Sequence, residues 1–204
     1  MIFGKSKTLE QLEQIILHYQ EKNQSALVTK IQADKAKALL TLFPEAFYDA
    51  VSGVFGLATD DQPEAEAGVA ILSGGTSDAF VVNEIYYTLR HIGIKSERIE
   101  DIGVSGLHRL LDRLDDLKKY RVIIAVAGFE AALPTVLGGL VPQPIIAVPT
   151  SVGYGIASGG HVALNSLLAS CANGITVVNI DNGYGAAIAA YRILQGINPQ
   201  NSKE

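Results

Sequence analysis

The chain has 204 residues, 48% of them hydrophobic, and a positive mean hydropathy, enough to bury a sizeable core. Its 16 basic and 21 acidic side chains leave a net charge of −5, which offers nothing to nucleic acid or to an anionic membrane surface. One cysteine, Cys171, excludes an intrachain disulfide and suits a reducing compartment. No run reaches the roughly 18 apolar residues that span a bilayer, and no signal pattern opens the chain, so a cytoplasmic protein is expected.

Residues 8–20 place Leu9, Leu12, Ile15, Ile16 and Tyr19 at helical spacing, with Thr8 positioned to cap the helix. A strand is expected over 25–31, a helix over 34–43 stopped by Pro44, and a strand over 50–57. These form a small N-terminal α/β region, residues 1–60. Residues 58–67, acidic and apolar-poor, read as a connection. From residue 68 strands and helices alternate: strand 68–74, helix 78–91, strand 95–102, helix 107–118, strand 121–128 and helix 130–139. Strand 144–150, helix 160–172, strand 175–181 and helix 183–195 complete the series. Continuous runs such as VIIAV and ITVV suit strands covered on both faces, so residues 68–204 should form a three-layer αβα domain around a mostly parallel sheet.

Ligands of such sheets bind outside the carboxyl ends of the strands. Five of these ends carry unusual sequence: SGGTSD at 73–78, DIGVSGLHR at 101–109, AGFEAALP at 127–134, VPTSVGYG at 148–155 and NIDNGYG at 179–185. In the first, Gly75 permits close backbone approach, while free N–H groups and the hydroxyls of Ser73, Thr76 and Ser77 suit a phosphate; a glycine-rich helix cap would look the same. His108 and Arg109 fit a proton donor and a phosphate fork, or a solvated helix face with Arg109 paired to Asp112 or Asp116.

Glu130, after an apolar strand, fits either a partly buried acid or base or a carboxylate stabilising the next helix. Cys171 ends an apolar segment and by pattern reads as a packed small hydrophobe. Asp181 and Asn182 fit ribose or metal ligands, or a turn into the last helix. His161 lacks a second histidine at metal spacing, and no strong metal motif is present.

Taken together, GTSD at 75–78, VSGLHRLL at 104–111, VAGFEAALP at 126–134, AVPTSVGYG at 147–155 and LLASCANGITVVNIDNGYGAA at 167–187 resemble the LarB family. Its members are pyridinium-3,5-biscarboxylic acid mononucleotide synthases of nickel-pincer cofactor biosynthesis, related to the aminoimidazole ribonucleotide carboxylases (PurE). The IFGKSKT start and FPEAFYD at 43–49 look like the family's N-terminal region, although members commonly carry a further N-terminal stretch. The carboxylases place a histidine where Ala132 stands and have no cysteine matching Cys171.

The resemblance implies a PurE-like fold and carboxylation of nicotinic acid adenine dinucleotide by CO2 or bicarbonate, with hydrolysis that releases AMP. It implies Cys171 as nucleophile and Glu130 as base. Ser73, Gly75, Thr76, Ser77 and Asp78 would hold the phosphoribosyl part or a magnesium ion, no organic cofactor being needed. Asp101, Ser105, His108, Arg109, Gly128, Asp181 and Asn182 would contribute to the same substrate site, with Ser151 and Tyr154 lining the pyridine pocket. A homo-oligomer, an octamer with sites between subunits, is expected. The competing expectations are an aminoimidazole ribonucleotide carboxylase or mutase, and a nucleotide-binding module without turnover.

Overall fold

A computed structural model describes residues 1–57 and 67–197, so most of the expected connection over 58–67 lies outside the described residues. The N-terminal layer contains β1 (Ile2–Phe3), α1 (Leu9–Glu21), β2 (Leu27–Thr29), α2 (Ala33–Leu42), β3 (Ala46–Asp49) and β4 (Val54–Leu57), with sheet order β1-β2-β4-β3. Thr8 caps α1 as expected: its hydroxyl accepts from the Gln11 amide at 3.2 Å, and the Gln11 side chain accepts from the Thr8 amide at 3.0 Å. Leu12 and Ile16 bury the helix against Phe55 and Val28 of the sheet.

The strand expected over 50–57 is the second half of a hairpin, antiparallel to β3. Residues 50–53 are its turn, held because the Asp49 carboxylate accepts from the Ser52 amide at 2.9 Å and Gly53 takes φ +65°.

The larger layer runs β5 (Val69–Ser73), α3 (Ala79–His91), β6 (Ser96–Ile99), α4 (Leu107–Leu111), α5 (Leu114–Leu117), β7 (Val122–Ala127) and α6 (Ala132–Gly138). It ends with β8 (Ile145–Pro149), α7 (His161–Leu168), β9 (Ile175–Val177) and α8 (Gly183–Ile197). Its five strands are all parallel, in the order β6-β5-β7-β8-β9. Strand residues alternate between two cores. Leu72, Ile123 and Ala147 face Leu133, Leu137 and Leu167, whereas Ile71, Ile124 and Val148 face Val82, Ile85 and Ala187. This is the three-layer αβα fold expected, with helices on both faces of the sheet.

Several elements are shorter than the sequence pattern suggests, for identifiable reasons. Helix 130–139 starts only at Ala132, because Phe129 and Ala131 take left-handed backbone at φ +53° and +50°. Strand 175–181 ends at Val177, and Asp181 turns the chain at φ +55°. Helix 107–118 divides at residues 112–113, within a stretch holding three aspartates, which are poor interior helix formers. Leu110 and Leu117 are buried on either side of that break. Helix 160–172 closes at Leu168, which leaves Cys171 in the turn before β9. Among the described residues, no helix is long and apolar enough to cross a membrane.

Ile124 lies fully buried in the central strand β7. Ile124→Ala is expected to cost about 2–5 kcal/mol, read as a lowered urea midpoint with an unchanged slope.

Candidate active site

The strand order reverses beside β5, whose neighbours β6 and β7 are reached by crossovers in opposite directions. At the carboxyl ends of these three strands lies a cavity of about 330 Å³, the position expected of a ligand site in a doubly wound sheet. Its walls include Gly75, Ser77 and Asp78 after β5, Ser105 after β6, and Gly128 and Glu130 after β7. The walls are close because glycines let backbones touch. A Cβ on Gly103 would collide with the Gly74 carbonyl oxygen, and one on Gly128 with the Val152 carbonyl oxygen and the Thr150 hydroxyl.

Asp78 is the buried charge of the cavity, 3% exposed. The Thr150 hydroxyl donates to its Oδ1 at 2.8 Å and the Gly75 amide to its Oδ2 at 3.1 Å. Burial pushes its carboxyl above the ordinary value, the two hydrogen bonds oppose that shift, and the nearby Asp181 charge adds to it. Asp181 itself accepts the Ser151 amide at 2.8 Å on Oδ1, and its backbone carbonyl accepts from Lys30 Nζ at 3.0 Å. Lys30 also pairs at 3.0 Å with Glu84, a carboxylate 2% exposed that accepts the Gly183 amide at 3.1 Å. Burial raises the Glu84 carboxyl as well, against the pull of Lys30. The hydroxyl of Ser73 is fully buried without a hydrogen-bond partner.

The residues singled out by sequence divide into groups. Gly75, Ser77, Asp78, Ser105, Gly128 and Glu130 meet on the cavity. Thr76 is exposed beside it, and Glu130 is exposed rather than partly buried. Arg109 does not pair with Asp112 or Asp116. Its guanidinium instead grips Asp101 at 3.3 and 3.4 Å, and both line a neighbouring charged groove, not the cavity. His108 is exposed and away from the cavity wall. Ser151 acts through its amide on Asp181. Tyr154, 79% exposed, packs edge-on against Phe129 with ring centroids 5.4 Å apart. Asn182 spends its side-chain oxygen on the Gly185 amide at 2.8 Å, so it shapes the turn into α8.

Cys171 is exposed, not packed as its apolar context suggested. It sits down the length of α6 from Glu130: Ser170 bonds to Thr135 at 2.7 Å, and Ala172 packs on Gly138. Glu130 precedes the head of that helix, whose axis from Ala132 to Gly138 spans roughly 9 Å. The thiol does not line the cavity of its own chain.

Sequence reasoning passed over Thr150, Lys30 and Glu84. Thr150 stood inside a quoted loop, but its tie to Asp78 joins two strand ends distant in sequence. The Lys30–Glu84 pair has no local signature, since each residue is an ordinary charge in its own segment. Both Asp78 oxygens and one Asp181 oxygen are already engaged, and among the described residues no group of three or more His, Cys, Asp or Glu converges on a point.

Residues 68–204 match the AIR carboxylase family, and residues 1–59 match the LarB/PurE-like N-terminal domain. The chain belongs to the LarB family. An uncharacterized protein of Methanocaldococcus jannaschii is 36% identical over 198 residues, covering 93% of this chain and 76% of that one. An N5-carboxyaminoimidazole ribonucleotide mutase of the same organism is 30% identical over 129 residues, 62% of this chain and 78% of its own length. Another, from Pyrococcus horikoshii, is 36% identical over 146 residues, 67% of this chain and 76% of its own. Membership in the LarB family, with its PurE-like fold, makes this an enzyme of the carboxylase or mutase type.

The raised Asp78 carboxyl has a measurable cost. The folded chain holds that proton more tightly than the unfolded chain, so stability falls as pH rises from the ordinary carboxylate range through the raised value. Asp78→Asn removes this titration. Its urea midpoint relative to the parent chain is expected to rise as pH is raised through and above the ordinary carboxylate range.

Proposed function

We propose that this LarB-family chain carboxylates the pyridinium ring of nicotinic acid adenine dinucleotide and hydrolyses the phosphoanhydride, giving AMP and pyridinium-3,5-biscarboxylic acid mononucleotide. The observation that carries this reading is the wall formed by α6. Ala132, where the purine carboxylases place histidine, lines the cavity, and the titratable side chain beside it is Glu130. A site so built lacks an imidazole to shuttle protons on aminoimidazole ribonucleotide, and offers a carboxylate instead.

The chemistry calls for a nucleophile as well, because a pyridinium ring is too electron-poor to attack carbon dioxide. The Cys171 thiolate adds para to the ring nitrogen, forming an S–C bond and turning the adjacent carbon into an enamine. That carbon bonds to carbon dioxide. Glu130 then takes the proton from the newly carboxylated carbon, and the electron pair restores the aromatic ring as the S–C bond breaks and the thiolate departs. Water cleaves the phosphoanhydride separately. Ser77, Gly75 and Ser105 on the cavity would receive the phosphoribosyl part, with Asp78 fixing the loop that presents them.

Since Cys171 and Glu130 lie toward opposite ends of α6, a site using both draws the thiol from a second copy of the chain. That agrees with the homo-oligomer expected of the family. The mutase relatives favour one other reading, turnover of a carboxylated aminoimidazole ribonucleotide, which needs no thiol.

Incubation with nicotinic acid adenine dinucleotide, bicarbonate and magnesium is expected to release AMP and give a product one carboxyl group heavier than nicotinic acid mononucleotide. Cys171→Ser and Glu130→Gln should each give none. Dissociating and reassembling the two variants together should restore about one quarter of the activity if each site spans two subunits. Turnover of an aminoimidazole ribonucleotide that is indifferent to Cys171→Ser would replace this reading with the mutase one.

A further inference from the structure

The N-terminal layer reaches the turn at Asp181 through the side chain of Lys30. Lys30 follows β2, and its ammonium is held between the Glu84 carboxylate of α3 and the Asp181 carbonyl, each at 3.0 Å. Beyond Asp181 the connection continues. The Asp181 carboxylate accepts the Ser151 amide, and the neighbouring Thr150 hydroxyl donates to Asp78 on the cavity wall. The backbone supplies an independent sign that this contact is specified. Lys30 and Asp181, at the two ends of one hydrogen bond, both take left-handed backbone, φ +56° and +55°, a conformation that non-glycine residues keep only where surrounding contacts determine it.

We propose that Lys30 is a positioning residue for the active site: from the N-terminal layer it fixes the 178–182 turn and, through Asp181, the 150–152 loop that closes one side of the cavity. Lys30 does not line the cavity, and its role is to hold the turn in place. It makes turnover in the larger layer depend on the docking of the smaller one. The kinetic part of the test rests on the proposed carboxylation, whereas the exchange part does not.

Two variants of the full chain separate positioning from simple stability. Lys30→Met strands the buried Glu84 charge and is expected to lower Tm by about 5 °C or more. Lys30→Met combined with Glu84→Gln removes both charges and leaves an amide oxygen for the Gly183 N–H, so much of that Tm should return. The Asp181 carbonyl stays without its donor in both. Amide hydrogen exchange at Ser151, measured as a ratio to that at Ile124 in β7, should rise about tenfold in both variants. The ratio discounts any general loss of stability, so it decides even if the double variant melts early. In the double variant kcat/KM should fall by about tenfold or more. An unchanged Ser151-to-Ile124 ratio in both variants would overturn the proposal, as would kinetic losses that vanish once Tm is regained. If the parent chain carries out no carboxylation, the exchange ratio alone still decides whether Lys30 positions the loop.

Discussion

A carboxylate almost excluded from water, Asp78, ties together the parts of this protein on which the cavity depends. Its two oxygens collect a hydroxyl from the end of β8 and an amide from the glycine turn after β5, strands that are not neighbours in the sheet. Held in this way, the turn keeps Gly75 and Ser77 facing the cavity, and the β8 loop stays within reach of Asp181. The raised carboxyl is the cost of that arrangement, a buried charge that folding would sooner protonate. Stability is given up locally so that the loops around a ligand begin in place.

Sheet topology explains why such a tie is needed. Five parallel strands deliver their chains to one edge, and each must leave the sheet abruptly to return through a helix. The exits at Asp101, Phe129, Ala131 and Asp181 are made by non-glycine residues at positive φ. Backbone strain of this kind gathers around sites whose geometry is functional, and here it surrounds the cavity and its flanks.

Much of this architecture was legible in the sequence, because strands buried on both faces write themselves as unbroken β-branched runs and their helices carry clear periodicity. The five carboxyl-end loops could be named from glycine, hydroxyl and acidic residues alone. Boundaries fared worse at those same loops, where Phe129 and Ala131 adopt left-handed backbone that no pattern of hydrophobicity announces. The first hairpin was half missed because Ala50 and Val51 extend the apolar run of β4 in composition while Asp49 bends them into a turn. Within the site, the cavity side of Asp78 and Glu130 was readable; the partnership of Arg109 with Asp101 and the exposure of Cys171 depend on where helices end, which pattern locates only loosely. Lys30 and Glu84 were invisible, since an ion pair closed between distant segments, a half-buried lysine on a buried glutamate, leaves each partner looking like surface charge.

The packing of α8 on α3 brings one more consequence. The face that α8 turns inward carries Ala186, Ala187 and Ala190, all fully buried, so over its first two turns α8 buries nothing larger than a methyl group and can lie close to α3. That short separation carries the first residue of α8, Gly183, against Glu84, where any added Cβ would meet the carboxylate oxygen at 2.8 Å and the Val81 carbonyl at 3.0 Å. The alanines therefore act as a spacer of fixed gauge. Enlarging one would wedge the helices apart and draw Gly183 out of reach of Glu84, so variation at these small residues is constrained by the electrostatics at the helix head as much as by the volume of the core.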